Sequence, residues 1–444
     1  MRKAQFLLLA VLVITGCAVV ADAQVLDIQT RDDRKKPKEL LDLIEDARKS
    51  LKDESVDVIR GQVGTRRVRL SRRKYTTVPV MGVVARQMAI AIVDRNDKIH
   101  VIRGIKRDRD LEVLTPGYQL AVRRHNGFNS DIDVIAPADG KVLAVKYPVM
   151  NDGNRLGGFL PVIQAVYTPF SEEIMTPEII REGIKVQDDL IDKAYKKLKD
   201  RHVYSAAFPG RKVTDVIPKD MLKILLLNEH IDPGEFHSAA SAPYLVKKVL
   251  TIIGTNEEKA YAYTISPAGA FGLVQMMPST YRLLLSKYPA AALNPIFGSG
   301  MTDAVNAVMA QVLLCDADWQ TILEVETVPK EKIGPYLAAA YNGGVGNVLT
   351  ILRHDKTDWM DAPESGNRPT ISVSQRVPVR KRIRKGKYRT VYVVRTSTRS
   401  VFKAETSKYV RQYHWIEDYF QTQTARSNTQ QPALLSSAFA YRHR

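Results

Sequence analysis

Apolar residues recur at helical spacing in three segments of the chain. Lys36 to Asp53 places leucine, isoleucine and alanine on one face, which predicts an amphipathic helix. Thr176 to Asp200 has the same spacing and predicts one or two helices. Pro218 to Ile231 is almost continuously apolar up to Leu227, which predicts a helix buried on all sides.

From Val58 to about Val149 the pattern changes to short runs of alternating apolar and polar residues, rich in Val, Ile, Thr and Tyr. These runs are separated by turn signals, namely Asn96-Asp97, Pro116-Gly117 and Asp139-Gly140. The pattern predicts a small β-rich domain over residues 57–150. Ile135 to Val142 resembles a strand of secreted zinc endopeptidases, but no His-x-His or His-Glu-x-x-His occurs in the sequence, so we reject that activity and predict no metal and no cofactor. A scaffold or wall-binding role fits this domain better.

The composition is that of a globular protein with a large basic excess. Its 444 residues are enough for two or three domains, and the formal net charge is +18. Such a charge indicates an acidic partner: nucleic acid, an anionic membrane surface or an anionic polymer.

The N-terminus indicates export. Arg2 and Lys3 precede an apolar run from Phe6 to Ile14, which is too short for a comfortable membrane span. Residues 1–23 therefore predict a signal peptide with two readable cleavage sites.

Ile14-Thr15-Gly16-Cys17 matches a bacterial lipobox, which would leave Cys17 lipidated, and Ala21-Asp22-Ala23 fits ordinary cleavage. We favour the lipobox, and thus a periplasmic protein anchored to the outer membrane over a free one. An exported chain makes nucleic acid a remote partner.

A loop from Ser266 to Tyr281 carries the most distinctive residues of the chain. Gly269 and Gly272 allow close approach of backbone to a ligand, and Gln275 can offer two donors and an acceptor. Pro278 then opens a predicted helix that runs to Tyr288.

Three blocks resemble one family. Ser266 to Thr280 resembles the signature loop of the soluble lytic transglycosylase (SLT) domain, a relative of goose-type lysozyme. Ala338 to Val348, with Tyr341-Asn342-Gly343-Gly344, is similar to the family's Ala-Tyr-Asn segment, and Glu405-Thr406-x-x-Tyr409-Val410 to its closing helix. The blocks occur in family order and place the resemblance over residues 215–420.

The resemblance implies an α-helical lysozyme-like domain that cuts peptidoglycan glycan strands between MurNAc and GlcNAc. In that family one glutamate protonates the glycosidic oxygen and then activates the C6 hydroxyl of the sugar, which forms a 1,6-anhydro end. A hydrolytic muramidase and a non-catalytic peptidoglycan-binding envelope protein stay open as alternatives. We expect a monomer.

Glu229 is the preferred catalytic acid. It lies three and four residues beyond Leu226 and Leu225, so it shares their apolar face at the end of a helix. Apolar burial and the negative end of a helix both raise a carboxyl pKa, as a proton donor requires.

Two competitors for the acid remain. Glu257 precedes Ser266 by the short spacing common in the family, but Gly254-Thr255-Asn256 predicts a helix start with a Thr255-x-x-Glu258 capping box, where an anion is favoured. Glu235 follows Pro233-Gly234 and is a weaker third.

The resemblance also implies the residues that hold substrate. Ser266 and Gln275 match positions that hydrogen-bond the sugar near the cleaved bond. Tyr341 and Asn342 match the family's tyrosine-asparagine pair, in which the tyrosine orients the acid or the sugar. Glu405 is expected to support the groove from a distance.

The chain departs from the family over residues 354–402. Arg376 to Arg395 alternates like a hairpin turning near Lys385-Gly386, and its outward face would be densely basic. Contact with acidic wall polymer or lipid is favoured over a merely solvated surface. The predicted architecture is α+β and multidomain: a helical segment (24–56), the β-rich domain (57–150), a helical linker (151–214), the catalytic domain (215–420) with the inserted basic hairpin, and a disordered tail (421–444).

Overall fold

The computed structural model describes residues 39–108, 110–124, 130–150, 162–354, 358–361 and 368–430. The predicted signal peptide with Cys17, residues 151–161 at the start of the predicted helical linker, and residues 431–444 lie outside this part. The described chain combines helices with antiparallel sheets, so the prediction of an α+β protein is confirmed.

The helices run in chain order through the described residues. They are α1 (Leu40–Ser50), α2 (Pro177–Asp200), α3 (Val213–Val216), α4 (Lys219–Asn228), α5 (Ala242–Asn256), α6 (Pro278–Lys287), α7 (Phe297–Thr302), α8 (Ala304–Leu323), α9 (Ile333–Gly343), α10 (Val345–Arg353), α11 (Asp358–Asp361) and α12 (Ala404–Gln430). The strands are β1 (Val58–Arg69), β2 (Tyr75–Val93), β3 (Ile99–Arg107), β4 (Asp110–Val113), β5 (Gln119–Arg124), β6 (Asp131–Ala136), β7 (Lys141–Met150), β8 (Val162–Tyr167), β9 (Thr370–Arg384) and β10 (Lys387–Ser400).

One sheet of six strands forms the first half of the fold. Its order is β4-β3-β2-β7-β8, and β1 pairs with the outer part of β2. Because β8 pairs with β7 from Val162 to Tyr167, the sheet continues past residue 150, and the prediction of a purely helical linker over 151–214 is wrong there. The short pair β5–β6 and the long pair β9–β10 form separate two-stranded sheets.

The alternation of side chains gives the sheet two buried faces. Ala89, Ala91 and Leu143 pack against α1, which contributes Leu43 and Ala47. The intervening residues of the same strands, such as Ile90 and Val145, face the other way and belong to the core of the helices. The sheet therefore forms a continuous packing surface for the helices that carry the candidate site.

Two glycines allow α2 and α5 to cross closely. A Cβ on Gly254 would lie 2.3 Å from the carbonyl oxygen of Ile179, and a Cβ on Gly183 would lie 2.1 Å from that of Leu250. Gly254 therefore lies inside α5 and does not begin a new helix. The predicted Thr255-x-x-Glu258 capping box is wrong, because the Thr255 hydroxyl donates to Thr251 O of the preceding turn at 2.9 Å.

Most predicted elements around the site are present. Helices α1, α2 and α6 match their predicted segments, and α4 is buried along nearly its whole length. β9 and β10 form the predicted hairpin with its turn at Lys385-Gly386. Helix α12 continues to Gln430, so the prediction of a disordered tail from residue 421 is wrong over 421–430.

Candidate active site

Glu229 lies where α4 ends. Its amide donates to Leu225 O at 3.1 Å, which continues the helical pattern by one residue, and the chain then leaves the helix toward Asp232-Pro233. The helix before it is packed on nearly all sides, since Leu222, Leu225 and Leu227 are fully buried. Such packing fixes the backbone that carries the Glu229 side chain.

The Glu229 side chain opens into a cavity of about 320 Å³. Ser266 and Gln275 of the signature loop line the same cavity, so the structure brings three of the five predicted site residues together. Tyr341 and Asn342 are not among the described residues that line it.

Burial changes the acidity of Glu229. Protein atoms enclose the carboxyl except toward the cavity, and this desolvation raises its pKa to about 8. The negative charge of Glu405, in the first turn of α12, raises the pKa further, whereas a hydrogen bond from Tyr409 opposes the shift. Glu229 is therefore mainly protonated at neutral pH and can donate a proton.

Tyr409 is the hydrogen-bond partner of the acid. Its hydroxyl donates to Glu229 Oε1 at 2.5 Å, and burial together with the Glu229 charge raises the pKa of this phenol well above its usual range. The phenol therefore stays protonated and remains a donor. Tyr409 belongs to the third sequence block, but its contact with the acid was not anticipated from the sequence.

Tyr341 is hydrogen-bonded to the backbone of the signature loop. At the end of α9 its hydroxyl donates to Val274 O at 2.5 Å, next to Gln275. Burial raises the pKa of this phenol, and the Glu229 charge adds to the shift, so Tyr341 lies within electrostatic reach of the acid. It supports the loop and is not among the described residues that line the cavity.

Asn342 makes its contact with α12. Its Oδ1 accepts from the Thr406 hydroxyl at 2.8 Å, which joins the second and third sequence blocks. Thr406 stands next to Glu405 in the first turn of the helix that carries Tyr409. Asn342 therefore holds α12 in register beside the acid.

The signature loop is closed by its own polar side chains. Ser266 Oγ accepts from Ala270 N at 3.0 Å, which leaves its hydroxyl hydrogen to donate elsewhere. Gln275 adopts a left-handed backbone with φ 45°, and its Nε2 donates to Thr264 O (3.2 Å) and Gly272 O (2.8 Å). Both amide hydrogens are thus used, so the expectation that Gln275 offers two donors to a ligand is wrong. Its amide oxygen is the group that can accept from one.

An aromatic pair forms a further wall that the sequence did not reveal. The rings of His230 and Tyr261 stack with centroids 3.6 Å apart and an interplanar angle of 9°. His230 Nε2 donates to Leu273 O, and burial lowers the pKa of this imidazole to about 4, so it is neutral near pH 7. A neutral ring beside Glu229 adds no charge that would favour the carboxylate.

The lining of the cavity also contains an ion-pair cluster. Lys248 of α5 lies 3.2 Å from Glu235 and 3.9 Å from Asp131 of β6. Asp131 brings a residue of the β5–β6 pair into the cavity lining, which the sequence did not predict.

The competing acids occupy different surroundings. Glu257 caps the end of α5 with a φ of 51°, is exposed and does not line the cavity. Its charge acts on Arg48 and Lys185 instead. Glu235 does line the cavity, but it is paired with Lys248. Glu229 is therefore the acid whose environment best suits proton donation.

A larger cavity, of about 810 Å³, lies at the other end of α4 between α9 and α12. Lys223 and Lys330 line it together with Ile333, Tyr413 and Phe420. It is remote from the three sequence blocks around Glu229, and size alone does not make it the better site.

Within the described residues, no group of three or more His, Cys, Asp and Glu side chains could hold a metal ion. No helix in the same part of the chain is long and apolar enough to cross a membrane. Comparison of the chain with family models, with curated proteins and with solved structures finds no match.

Proposed function

We propose that this protein is a peptidoglycan lytic transglycosylase that cleaves the β-1,4 bond between MurNAc and GlcNAc, with Glu229 as its one catalytic acid. The observation that carries the proposal is a carboxyl with a pKa of about 8 that opens into a cavity beside Ser266 and Gln275. The likeness of the three sequence blocks to the SLT domain, and a lysozyme-like helical fold, belong to the same proposal.

Glu229 acts twice in this mechanism. As an acid it gives its proton to the glycosidic oxygen while the bond from that oxygen to C1 of MurNAc breaks. As a carboxylate it then takes the proton of the C6 hydroxyl, whose oxygen forms a bond to C1 and closes the 1,6-anhydro ring. The enzyme returns to its starting protonation state, and no water is consumed.

The contacts of Glu229 suit both steps. Burial keeps the proton on the carboxyl before the reaction, and the hydrogen bond from Tyr409 stabilises the carboxylate that forms when the proton leaves. Tyr409 also holds Oε1 in place through a fixed contact, so the carboxylate stays oriented for the second transfer.

The other carboxylates of the cavity favour a one-acid mechanism. Many glycosidases use a second carboxylate as nucleophile or as base toward water. Here Glu235 and Asp131 are paired with Lys248, and Asp232 Oδ1 accepts from Gly234 N in its own turn. These contacts engage the neighbouring carboxylates and leave Glu229 as the proton donor.

The substrate would be held by groups that the loop leaves free. The Ser266 hydroxyl can donate and the Gln275 amide oxygen can accept, which suits the hydroxyl and acetamido groups of amino sugars. Export, predicted from residues 1–23 with the Cys17 lipobox, would place the enzyme in the compartment that contains peptidoglycan.

Mass spectrometry of the products from purified sacculi tests the proposal. A transglycosylase releases muropeptides lighter by one water than the hydrolytic products. Water-containing reducing ends would instead identify a muramidase, and binding of sacculi without soluble products over a range of pH would identify a non-catalytic envelope protein. Glu229→Gln should remove the activity and Glu257→Gln should keep it; the reverse result would move the acid to Glu257.

A further inference from the structure

The basic charge of this protein is concentrated in two β-ribbons. Residues 370–400 carry ten Lys and Arg, residues 58–85 carry seven, and neither segment contains Asp or Glu. The rest of the chain has 49 basic against 48 acidic residues, so nearly the whole net charge of +18 belongs to these segments. A solvated surface would spread its charge, whereas this distribution points to two contact sites.

Both segments stand apart from the sheet as two-stranded ribbons. Within the described residues β9 and β10 pair only with each other, and most of the 29 residues of the two strands are exposed. In the part of the chain that the structure describes, the outer part of β2, from Tyr75 to Ala85, pairs only with β1, since β3 joins β2 from Arg86 onward. Two-stranded ribbons without a packed face are marginally stable in water, so a partner that covers them would stabilise them.

The register places cations and apolar groups on one face of the β9–β10 ribbon. Arg382 is opposite Tyr388, Arg376 is opposite Val394, and Tyr392 lies between them. Residues opposite each other in an antiparallel pair share a face. The exposed fractions of Tyr388, Tyr392 and Val394 are 58%, 68% and 63%, so large apolar surfaces stand in solvent beside the guanidinium groups.

The β1–β2 ribbon repeats this composition. Leu70, Tyr75 and Met81 are exposed by 58%, 47% and 64%. The guanidinium of Arg67 lies over the Tyr75 ring at 4.3 Å from its centroid. Each ribbon therefore combines clustered cations with an exposed tyrosine and exposed aliphatic side chains.

We propose that the two basic ribbons bind the surface of an anionic phospholipid membrane, with their tyrosine and aliphatic side chains in the headgroup region. Lys and Arg near such a surface are attracted to the phosphates, tyrosine prefers the interface, and aliphatic groups gain from leaving water. The contact is peripheral, because each ribbon is two strands wide and amphipathic.

A soluble polyanion explains less of the same surface. Phosphate chains are bound by cations and hydrogen-bond donors, and tyrosine can stack on bases. Exposed Met81, Leu70 and Val394 would gain nothing from such a polymer. The aliphatic component therefore favours lipid over nucleic acid or an acidic wall polymer, and those polymers become outcomes of the test.

Vesicle co-sedimentation of the full chain tests the proposal. The vesicles contain 30% phosphatidylglycerol in phosphatidylcholine, with pure phosphatidylcholine as the neutral control, at about 0.1 M salt, where surface charges still act over about 10 Å. We expect binding to the anionic vesicles only. Replacing Arg376, Arg380 and Arg382 with Gln should lower the partition coefficient on the order of 100-fold.

Two further variants separate lipid from polyanion. Tyr388→Ser combined with Tyr392→Ser and Val394→Ser keeps every charge and should still weaken vesicle binding at least about 10-fold, since buried apolar groups contribute to interfacial binding. Tyr392→Trp should shift its emission to shorter wavelength on anionic vesicles and not on a 20-base-pair DNA duplex. The matched control removes three exposed lysines of α2, Lys196, Lys197 and Lys199, and should bind like the wild type.

The proposal is overturned if the wild type ignores anionic vesicles, or if the serine variant, with its circular dichroism unchanged, binds them as well as the wild type. Tighter binding to the DNA duplex or to a soluble acidic polymer than to vesicles would also overturn it. None of these outcomes depends on Glu229, so the membrane proposal and the transglycosylase proposal can fail separately.

Discussion

The hydroxyl of Tyr409 donates to Oε1 of Glu229 at 2.5 Å and joins α12 to the end of α4 across 180 residues of sequence. This contact lowers the pKa of the carboxyl, whereas burial and Glu405 raise it. The pKa of about 8 is the balance of these influences, and a change in either direction should appear in the pH dependence of the activity.

The proposed acid role of Glu229 predicts how the activity of the wild-type protein depends on pH. The proton donor must be protonated, so activity should fall as the pH rises through about 8. Measurement of muropeptide release as kcat/KM between pH 5 and 10 checks this prediction, since that ratio reports the free enzyme. Activity that already declines steadily from pH 5 upward, as it would for a carboxyl with an ordinary pKa, would contradict burial of the working acid.

Two substitutions should move this alkaline limit in opposite directions. Tyr409→Phe removes the hydrogen bond that lowers the pKa of Glu229, so the limit should move to higher pH. Glu405→Gln removes a negative charge that raises the pKa, so the limit should move to lower pH. Tyr409→Phe should also weaken activity at the optimum about 10-fold or more, because the carboxylate loses a charge-assisted hydrogen bond. If the alkaline limit moved in the same direction in both variants, these two contacts would not set the pKa of Glu229.

Glu229→Gln should lower activity by about 10²–10⁴-fold and change how stability depends on pH. The folded pKa of about 8 lies above the ordinary value of 4.5, so stability from the bound proton is fully present below pH 4.5 and is lost as pH rises toward 8. The wild type should therefore lose about 1.4 kcal/mol per pH unit relative to the variant over this window. Denaturant unfolding of both proteins at pH 5 and pH 8 measures the difference; parallel values at the two pH values would contradict the raised pKa.

Gln275→Glu tests whether the loop depends on the amide hydrogens. A carboxylate has no hydrogen to donate, so Thr264 O and Gly272 O would lose their partner and face a negative charge. We expect a loss of about 1–3 kcal/mol in the free energy of unfolding at pH 7. Gln275→Met, which keeps the length and adds no charge, should cost less. Equal costs would mean that packing, and not these hydrogen bonds, holds the loop.

The hydrophobic pattern predicted the helices that hold the site but not all of its walls. Helix α4 and the position of Glu229 followed from local spacing, because burial of a continuous apolar run is a property of the run itself. The stacked His230 and Tyr261, and the approach of Asp131, depend on contacts between distant segments that no local pattern contains. One signal in the sequence points to the His230–Tyr261 stack: His230 directly follows Glu229, the predicted acid.

Gly254 explains why the surroundings of Glu257 differ from those that the sequence predicts. A glycine followed by Thr255 and Asn256 predicts a helix boundary, yet here the glycine lets α5 pack on α2 at a distance that no side chain permits. The tertiary contact outweighs the local preference of glycine for helix ends. The preference for Glu229 over Glu257 stays a prediction, whereas Glu257 stands at the end of a helix, where the sequence predicted a beginning.

Gly272 provides the sharpest test of the signature loop. Its φ is +79°, a region that side chains rarely adopt, and a Cβ there would lie 2.6 Å from Met301 O in α7. Since its amide also donates to Thr264 O at 2.9 Å, the loop cannot move away without losing that bond. Gly272→Ala should therefore cost about 2–5 kcal/mol of unfolding free energy and lower activity. Gly346→Ala, in the first turn of α10, is the control and should be neutral or slightly stabilising, since no atom of the described residues lies within 4 Å of the added Cβ. Thermal and denaturant unfolding of the two variants, and then their release of muropeptides, measure the difference. Equal stability and equal activity of the two variants would contradict the loop geometry.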